Sequence, residues 1–139
     1  AMGISQLKKI NYLVRRKREI GKLYFKLLKS NKHIQIQNFS SKYAKNIYWV
    51  FGVLIKPNKK FNRDTITNKL LKRNIQTRNF FYPMHKQKIF RKLKIFNKNL
   101  KFPNSEFLSK NGLYLPSGLG ITNKEILYTC KVLNSILGK

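Results

Sequence analysis

Apolar residues recur at three- and four-residue steps at the start of the chain: Leu7, Ile10, Val14, Leu23, Leu27 and Leu28. That spacing places them on one helical face and predicts a helix over residues 2–28. At about 1.5 Å per residue such a helix would be about 40 Å long. This overshoots a small domain, so the helix reads as a connector packed against something else. Ala1-Met2-Gly3-Ile4 carries no N-cap signal, and the helix reads as entered part-way.

The pattern then alternates. Residues 31–45 are polar and read as loop, with a short extended piece at Ile34–Ile36. Residues 46–55, NIYWVFGVLI, are β-branched and aromatic and predict a strand buried on both faces. Gly52 inside it marks a bulge or a close backbone approach. A turn at residues 56–60 leads to a helix over 63–73, capped by Asn62, with Asp64 in its first turn and Ile66, Leu70 and Leu71 inward. Asn74 suits the left-handed end of that helix, and Ile75 and Thr77 open a short strand. A further helix is predicted over 87–95, with Ile89, Phe90 and Leu93 inward, followed by loop over 97–102. Pro103 opens a helix to Asn111 with Phe107 and Leu108 buried; Gly112 ends it and Leu113-Tyr114-Leu115 is a strand. After a turn at 116–120, Thr122 and Glu125 form a capping box for the last helix. There Ile126, Cys130, Leu133 and Leu137 share a face, with Cys130 acting as a buried small hydrophobe. No repeat emerges, and the alternation predicts an α+β layer: a small sheet with helices packed against it.

Composition sharpens this picture. A chain of 139 residues that is 42% apolar, with 10 Phe and 7 Tyr, can build a core as one domain or a piece of one, which excludes wholesale disorder. The balance of 31 Lys and Arg against 4 Asp and Glu gives +27, which points to an anionic partner such as nucleic acid. Against specific nucleic-acid reading, the cations are mostly Lys and are spread along the whole chain, whereas bidentate recognition favours Arg. Lys, Asn and Ile are the residues that AT-rich codons supply, so base-composition drift offers another origin for the excess. Arg15, Arg16, Lys17 and Arg18 read as a solvated helix face rather than a phosphate clamp. One Cys excludes an internal disulfide and fits a reduced, cytoplasmic setting. The longest apolar run, residues 47–55, is too short to span a bilayer, so no membrane partner is expected.

The densest chemistry lies in Thr77-Arg78-Asn79-Phe80-Phe81-Tyr82-Pro83-Met84-His85. Pro83 pushes Tyr82 toward an extended conformation. By pattern alone the aromatics plug an edge of the core; the other reading is a stiff loop that holds a ligand. The four carboxylates, Glu19, Asp64, Glu106 and Glu125, all fall at helix positions. There is no carboxylate pair, Ser-His-Asp set, metal cluster or phosphate loop, so the chain reads as a binding or accessory domain.

Taken in order, several segments combine. They are Ala1, Gly3, Gln6 and Leu7; then Arg15, Arg16 and Tyr24; then Tyr48 to Gly52; then Arg63-Asp64; then Gln76 to His85; and finally Gly112 to Leu119. The whole resembles the C-terminal part of the DegT/DnrJ/StrS family of pyridoxal-phosphate-dependent (PLP-dependent) sugar aminotransferases, the perosamine-synthetase-like branch above all. The resemblance implies the small C-terminal α+β domain of a fold-type-I enzyme. Residues 1–30 would be an interdomain helix and residues 31–139 the domain itself. It implies a large PLP-binding domain of the same polypeptide, a homodimer, and transfer of an amino group from glutamate to a nucleotide-linked keto-sugar. The family's Ser-His-Lys segment, whose Lys forms the Schiff base, is absent from these residues, so no catalytic residue is expected here and the chain should not transaminate alone. By position, residues 77–85 resemble the segment that reaches toward the sugar nucleotide. Arg78 would pair with a phosphate or carboxylate, and Phe81, Tyr82 and His85 would contact substrate. Asn79 stands where the family has Pro.

Overall fold

The computed structural model describes residues 2–97 and 100–138. Part of the predicted 97–102 loop therefore lies outside the described residues. The first helical stretch is two pieces, α1 (Met2–Lys8) and α2 (Ile10–Leu28), separated at Lys9, where φ is −107° and ψ 5°. No cap side chain supports the second start. The apolar stripe is buried only in the second half of α2, through Ile20, Tyr24 and Leu28, while Ile4 and Leu7 of α1 are exposed. The predicted rod thus splits into a packed part and a part that no described residue covers.

β1 (Ile34–Ile36), β2 (Phe51–Ile55), β3 (Arg78–Asn79) and β4 (Gly112–Leu115) form one antiparallel sheet in the order β1-β2-β4-β3. Register follows the side-chain period of two. Phe51 pairs with Leu115 and Val53 with Leu113, all buried on the face that meets α2, α3 (Arg63–Leu71) and α6 (Asn123–Leu137). Gly52 pairs with Tyr114 and Leu54 with Gly112 on the opposite face. No bulge interrupts this register. Gly52 instead marks a close approach: a Cβ there would lie 2.9 Å from the Phe80 ring, and one on Gly112 only 2.4 Å from it.

Several expectations are corrected. The strand predicted over 46–55 begins only at Phe51, because Tyr48 takes a left-handed conformation (φ 52°) that breaks the extended run. Its N–H donates to Asn46 Oδ1 at 2.7 Å, and its buried ring stacks on Phe51. Leu71 is exposed, because α3 turns Ile66 and Leu70 inward and ends there. The strand expected at Ile75 and Thr77 lies at Arg78–Asn79: left-handed Asn74 reverses the chain, and Ile75 N–H bonds back to Leu70 O at 3.0 Å. The helix predicted over 87–95 is a 3₁₀ turn (Met84–Lys86), then α4 (Lys88–Lys92), split by extended Gln87 and ended by left-handed Lys94. Ile89 and Leu93 are exposed. α5 (Pro103–Asn111) has its predicted bounds, but Phe107 and Leu108 are not buried; Asn111 is.

The last helix matches its pattern. Thr122 accepts from Glu125 N–H, Glu125 accepts from Thr122 N–H, and Ile126, Cys130, Leu133 and Leu137 are buried. Burial pushes the Cys130 thiol up to about 12. Asn31 Nδ2 donates to Asn134 Oδ1 at 2.7 Å and Asn31 Oδ1 accepts from His33 N–H, so the turn after α2 is locked onto α6. Among the described residues no helix is long and apolar enough to cross a membrane.

Candidate functional site

The chain from Thr77 to His85 leaves the sheet edge, crosses Tyr114 and folds back onto α5. β3 holds Arg78 opposite Tyr114. Its side chain lines a cavity of about 880 Å³ with Thr77, Tyr114, Ser117, Gly118 and Glu125. Phe80 turns inward and stacks on Tyr114 with ring centroids 4.5 Å apart, over the glycines of two strands. It is the residue of the segment that plugs the sheet. Phe81 meets the edge of Tyr114 at 6.1 Å and is 74% exposed. Tyr82 is 61% exposed and lines a different cavity, of about 1070 Å³, with Asn79, Phe80 and Glu106.

His85 lies in a third place. Its Nε2 is 3.1 Å from Glu106 Oε1, and its ring leans on Phe102 at 4.6 Å. Lys86 Nζ donates to the other Glu106 oxygen at 2.5 Å. The Lys86 hydrogen bond first, and the His85 hydrogen bond second, hold the Glu106 carboxyl below the usual carboxylate range. In this chain, then, Arg78, Tyr82 and His85 each line a different cavity, and Phe81 projects from the surface. Glu106 was not among the predicted site residues. Its signal was there: one of four carboxylates against 31 cations has few ways to stay unpaired.

The cations of α2 are the other feature the sequence reading missed. Arg15 is exposed as expected, but Arg16, Lys17 and Arg18 are not a solvated face. Arg16 donates to Leu119 O at 3.4 Å and to Ile121 O. Lys17 Nζ donates at 2.6 Å to both Trp49 O and Ser117 O, and Arg18 donates to Asn46 O at 3.4 Å. About two turns further on, Tyr24 Oη donates to Pro116 O at 2.6 Å. Helix α2 therefore fixes the 46–49 segment and the 116–121 segment that walls the Arg78 cavity. These carbonyls fall at the ends of the sheet, where no ladder partner exists, and the cations supply one. Ser117 Oγ adds a further tie by accepting from Phe51 N–H at 3.2 Å. No group of three or more His, Cys, Asp or Glu that could hold a metal occurs among the described residues.

Residues 1–134 match the sequence model of the DegT/DnrJ/EryC1/StrS aminotransferase family. The chain belongs to that family. The GDP-perosamine synthase of Escherichia coli O157:H7 is 31% identical over 134 residues, which is 96% of this chain and 34% of that protein. This family member thus spans about a third of the length of the curated relatives it matches. Its fold is that of about a third of the length of larger solved structures. The Helicobacter pylori aminotransferase PseC, involved in pseudoaminic acid biosynthesis, matches with TM-score 0.83 at 19% identity, over 98% of this chain and 36% of PseC. The E. coli GDP-4-keto-6-deoxy-D-mannose-3-dehydratase, solved with bound hydrated PLP, matches with TM-score 0.72 at 21% identity, over 94% of this chain and 33% of that one.

PLP is the cofactor of this family, and the described residues of this chain hold no lysine placed to anchor it. PLP is anchored through a lysine amine. Lys17 is the described lysine whose amine burial pushes down, and both neighbouring carbonyls occupy that amine. No described lysine is buried.

Proposed function

We propose that this chain is the C-terminal third of a PLP-dependent aminotransferase. The whole enzyme aminates a nucleotide-linked 4-keto-6-deoxy sugar, with glutamate as the amino donor, for surface polysaccharide or related biosynthesis. One observation carries the reading: the family match runs along residues 1–134, yet the chain spans only 34% of its perosamine synthase relative. Residues 1–30 are the interdomain helix. The exposed stripe of Ile4, Leu7 and Ile10 supports this, because an apolar face at that position needs a covering surface. The large domain supplies it, along with PLP and the lysine that holds it, and two copies of the whole polypeptide form a homodimer.

Arg78, Phe81, Tyr82 and His85 form the substrate-facing rim. Two large rings left open to solvent beside an arginine support that role, since burial in this domain alone does not explain them. The three separate cavities are then parts of one surface that the large domain completes. Arg78 offers a planar fork to a phosphate or carboxylate. Glu106 holds His85 by a hydrogen bond on one ring nitrogen, which fixes the direction of the other. The nucleic-acid reading rests on +27 alone. The commitment of Arg16, Lys17 and Arg18 to carbonyls weakens it.

The test compares the 139-residue chain with the same chain joined to its upstream reading frame. Each is incubated with PLP, glutamate and a nucleotide-linked 4-keto-6-deoxy sugar, and 2-oxoglutarate release is measured. The longer polypeptide is expected to release it and the shorter one not. Release by the 139-residue chain itself, or an upstream frame without a Ser-His-Lys segment, overturns the reading.

A further inference from the structure

On the side where α3 packs against α6, a groove of about 580 Å³ is lined by Lys69, Lys72, Arg73 and Lys131, with Tyr128 and Ile136 beside them. Helical spacing builds both walls. Lys72 and Arg73 stand three and four residues after Lys69, just past the end of α3, and Tyr128 and Lys131 are three apart on α6. The walls are joined: Tyr128 Oη donates to Arg73 O at 3.3 Å, and Ile66, Leu70 and Leu133 are fully buried between the helices and the sheet. The groove is therefore formed before any ligand arrives.

Its charge has no internal answer. The sequence contains four carboxylates. Glu19 pairs with Arg16, Asp64 with Arg63, Glu106 with His85 and Lys86, and Glu125 closes the α6 capping box. None is left for the groove. The α3 macrodipole accounts for cations at the end of that helix, but not for Lys131 in the middle of α6, where a facing positive charge is repulsive.

We propose that this groove binds a nucleoside triphosphate, its phosphates on the four cations and its base on Tyr128. A chain of three phosphates carries about four negative charges at neutral pH, which balances the four cations. Lysine is a point charge suited to phosphate rather than to reading base edges. The half-exposed Tyr128 ring offers a stacking surface for a base without selecting which one. The volume lies in the range of small-molecule sites, and a concave groove does not suit a flat lipid surface. This site is independent of the aminotransferase reading, and either can fail without the other.

The test is calorimetric titration of the full chain at physiological salt with ATP, AMP, inorganic triphosphate and a short single-stranded oligonucleotide. The variants are Lys69→Gln/Lys131→Gln in the groove, Lys56→Gln/Lys59→Gln outside it with the same charge change, and Tyr128→Leu. ATP is expected to bind about tenfold or more tighter than AMP, and the groove pair to weaken ATP by about tenfold while the outside pair changes it less than about twofold. Tyr128→Leu should bring ATP down to the level of inorganic triphosphate. Circular dichroism confirms that each variant is folded, and single Lys131→Gln replaces the groove pair if that pair is not. Equal weakening by both lysine pairs reduces the effect to bulk charge and overturns the proposal. So does an absence of ATP binding, triphosphate binding equal to ATP in the unmutated chain, or an oligonucleotide that outcompetes ATP through the same lysines.

Discussion

Glycine at position 21 lies under an aromatic ring, and its hydrogen is the only substituent that leaves room. A Cβ on Gly21 would stand 2.1 Å from Tyr48 Cδ2, inside the core. Gly21→Ala is expected to destabilise the fold by about 1–3 kcal/mol through overpacking. Adding Tyr48→Leu should make the double variant less unstable than the sum of the two single changes, because both act on one contact. Urea unfolding of the four proteins checks this. Gly52 was legible as a bulge or a close approach, because a glycine inside a strand pattern has few other uses. Gly21 was not, because in a helical pattern it reads only as a weak position, and its partner is a left-handed tyrosine that no periodicity announces. Residues 77–85 were equally hard to resolve. Composition marked the segment as unusual but could not say that Phe80 turns in while Phe81 and Tyr82 stay out.

Among the elements, those with their own stop and start signals were read with close bounds. α5 has Pro at its start and Gly at its end; α6 has both halves of a capping box. α4 lacks such signals, and the 3₁₀ turn before it comes from the chain wrapping Glu106 rather than from local preference. α2 shows the converse: its apolar positions were legible, and the work of its cations was not. Carbonyl partners about a hundred residues away in sequence leave no local trace. Lys17→Met keeps the stem and removes the ammonium that two carbonyls share. It is expected to lower stability by about 1–3 kcal/mol. Hydrogen exchange should quicken first in residues 46–49 and 116–121. A loss of protection spread evenly over the sheet would contradict the assignment of Lys17 to those two segments.

At the scale of the molecule, the order of the motifs disclosed the family although no single motif was strong, because spacing along a chain survives where residues drift. The charge excess said less, since 24 Lys dispersed over the chain define no face. Its consequence is for stability. Hydrogen bonds from Thr122, its backbone first, hold the Glu125 carboxyl below the usual range, and Lys86 and His85 do the same for Glu106. A carboxyl depressed by folding stabilises above its unfolded value, near pH 4, and that contribution is lost as pH falls through the folded value. Protonation also leaves all 31 Lys and Arg unopposed. Melting temperature is expected to fall steeply between about pH 5 and pH 3. Glu106→Gln should start lower and show a shallower acid slope; an unchanged slope would remove Glu106 from the account. The carbonyl ties to α2 have one more effect. Each peptide is planar and trans, so an oxygen drawn to one side obliges the following amide hydrogen to face the other. The amide hydrogens of Ser117, Gly118 and Gly120 are thereby turned away from the side chains of α2, while that of Thr122 is taken by Glu125 and helps start the last helix.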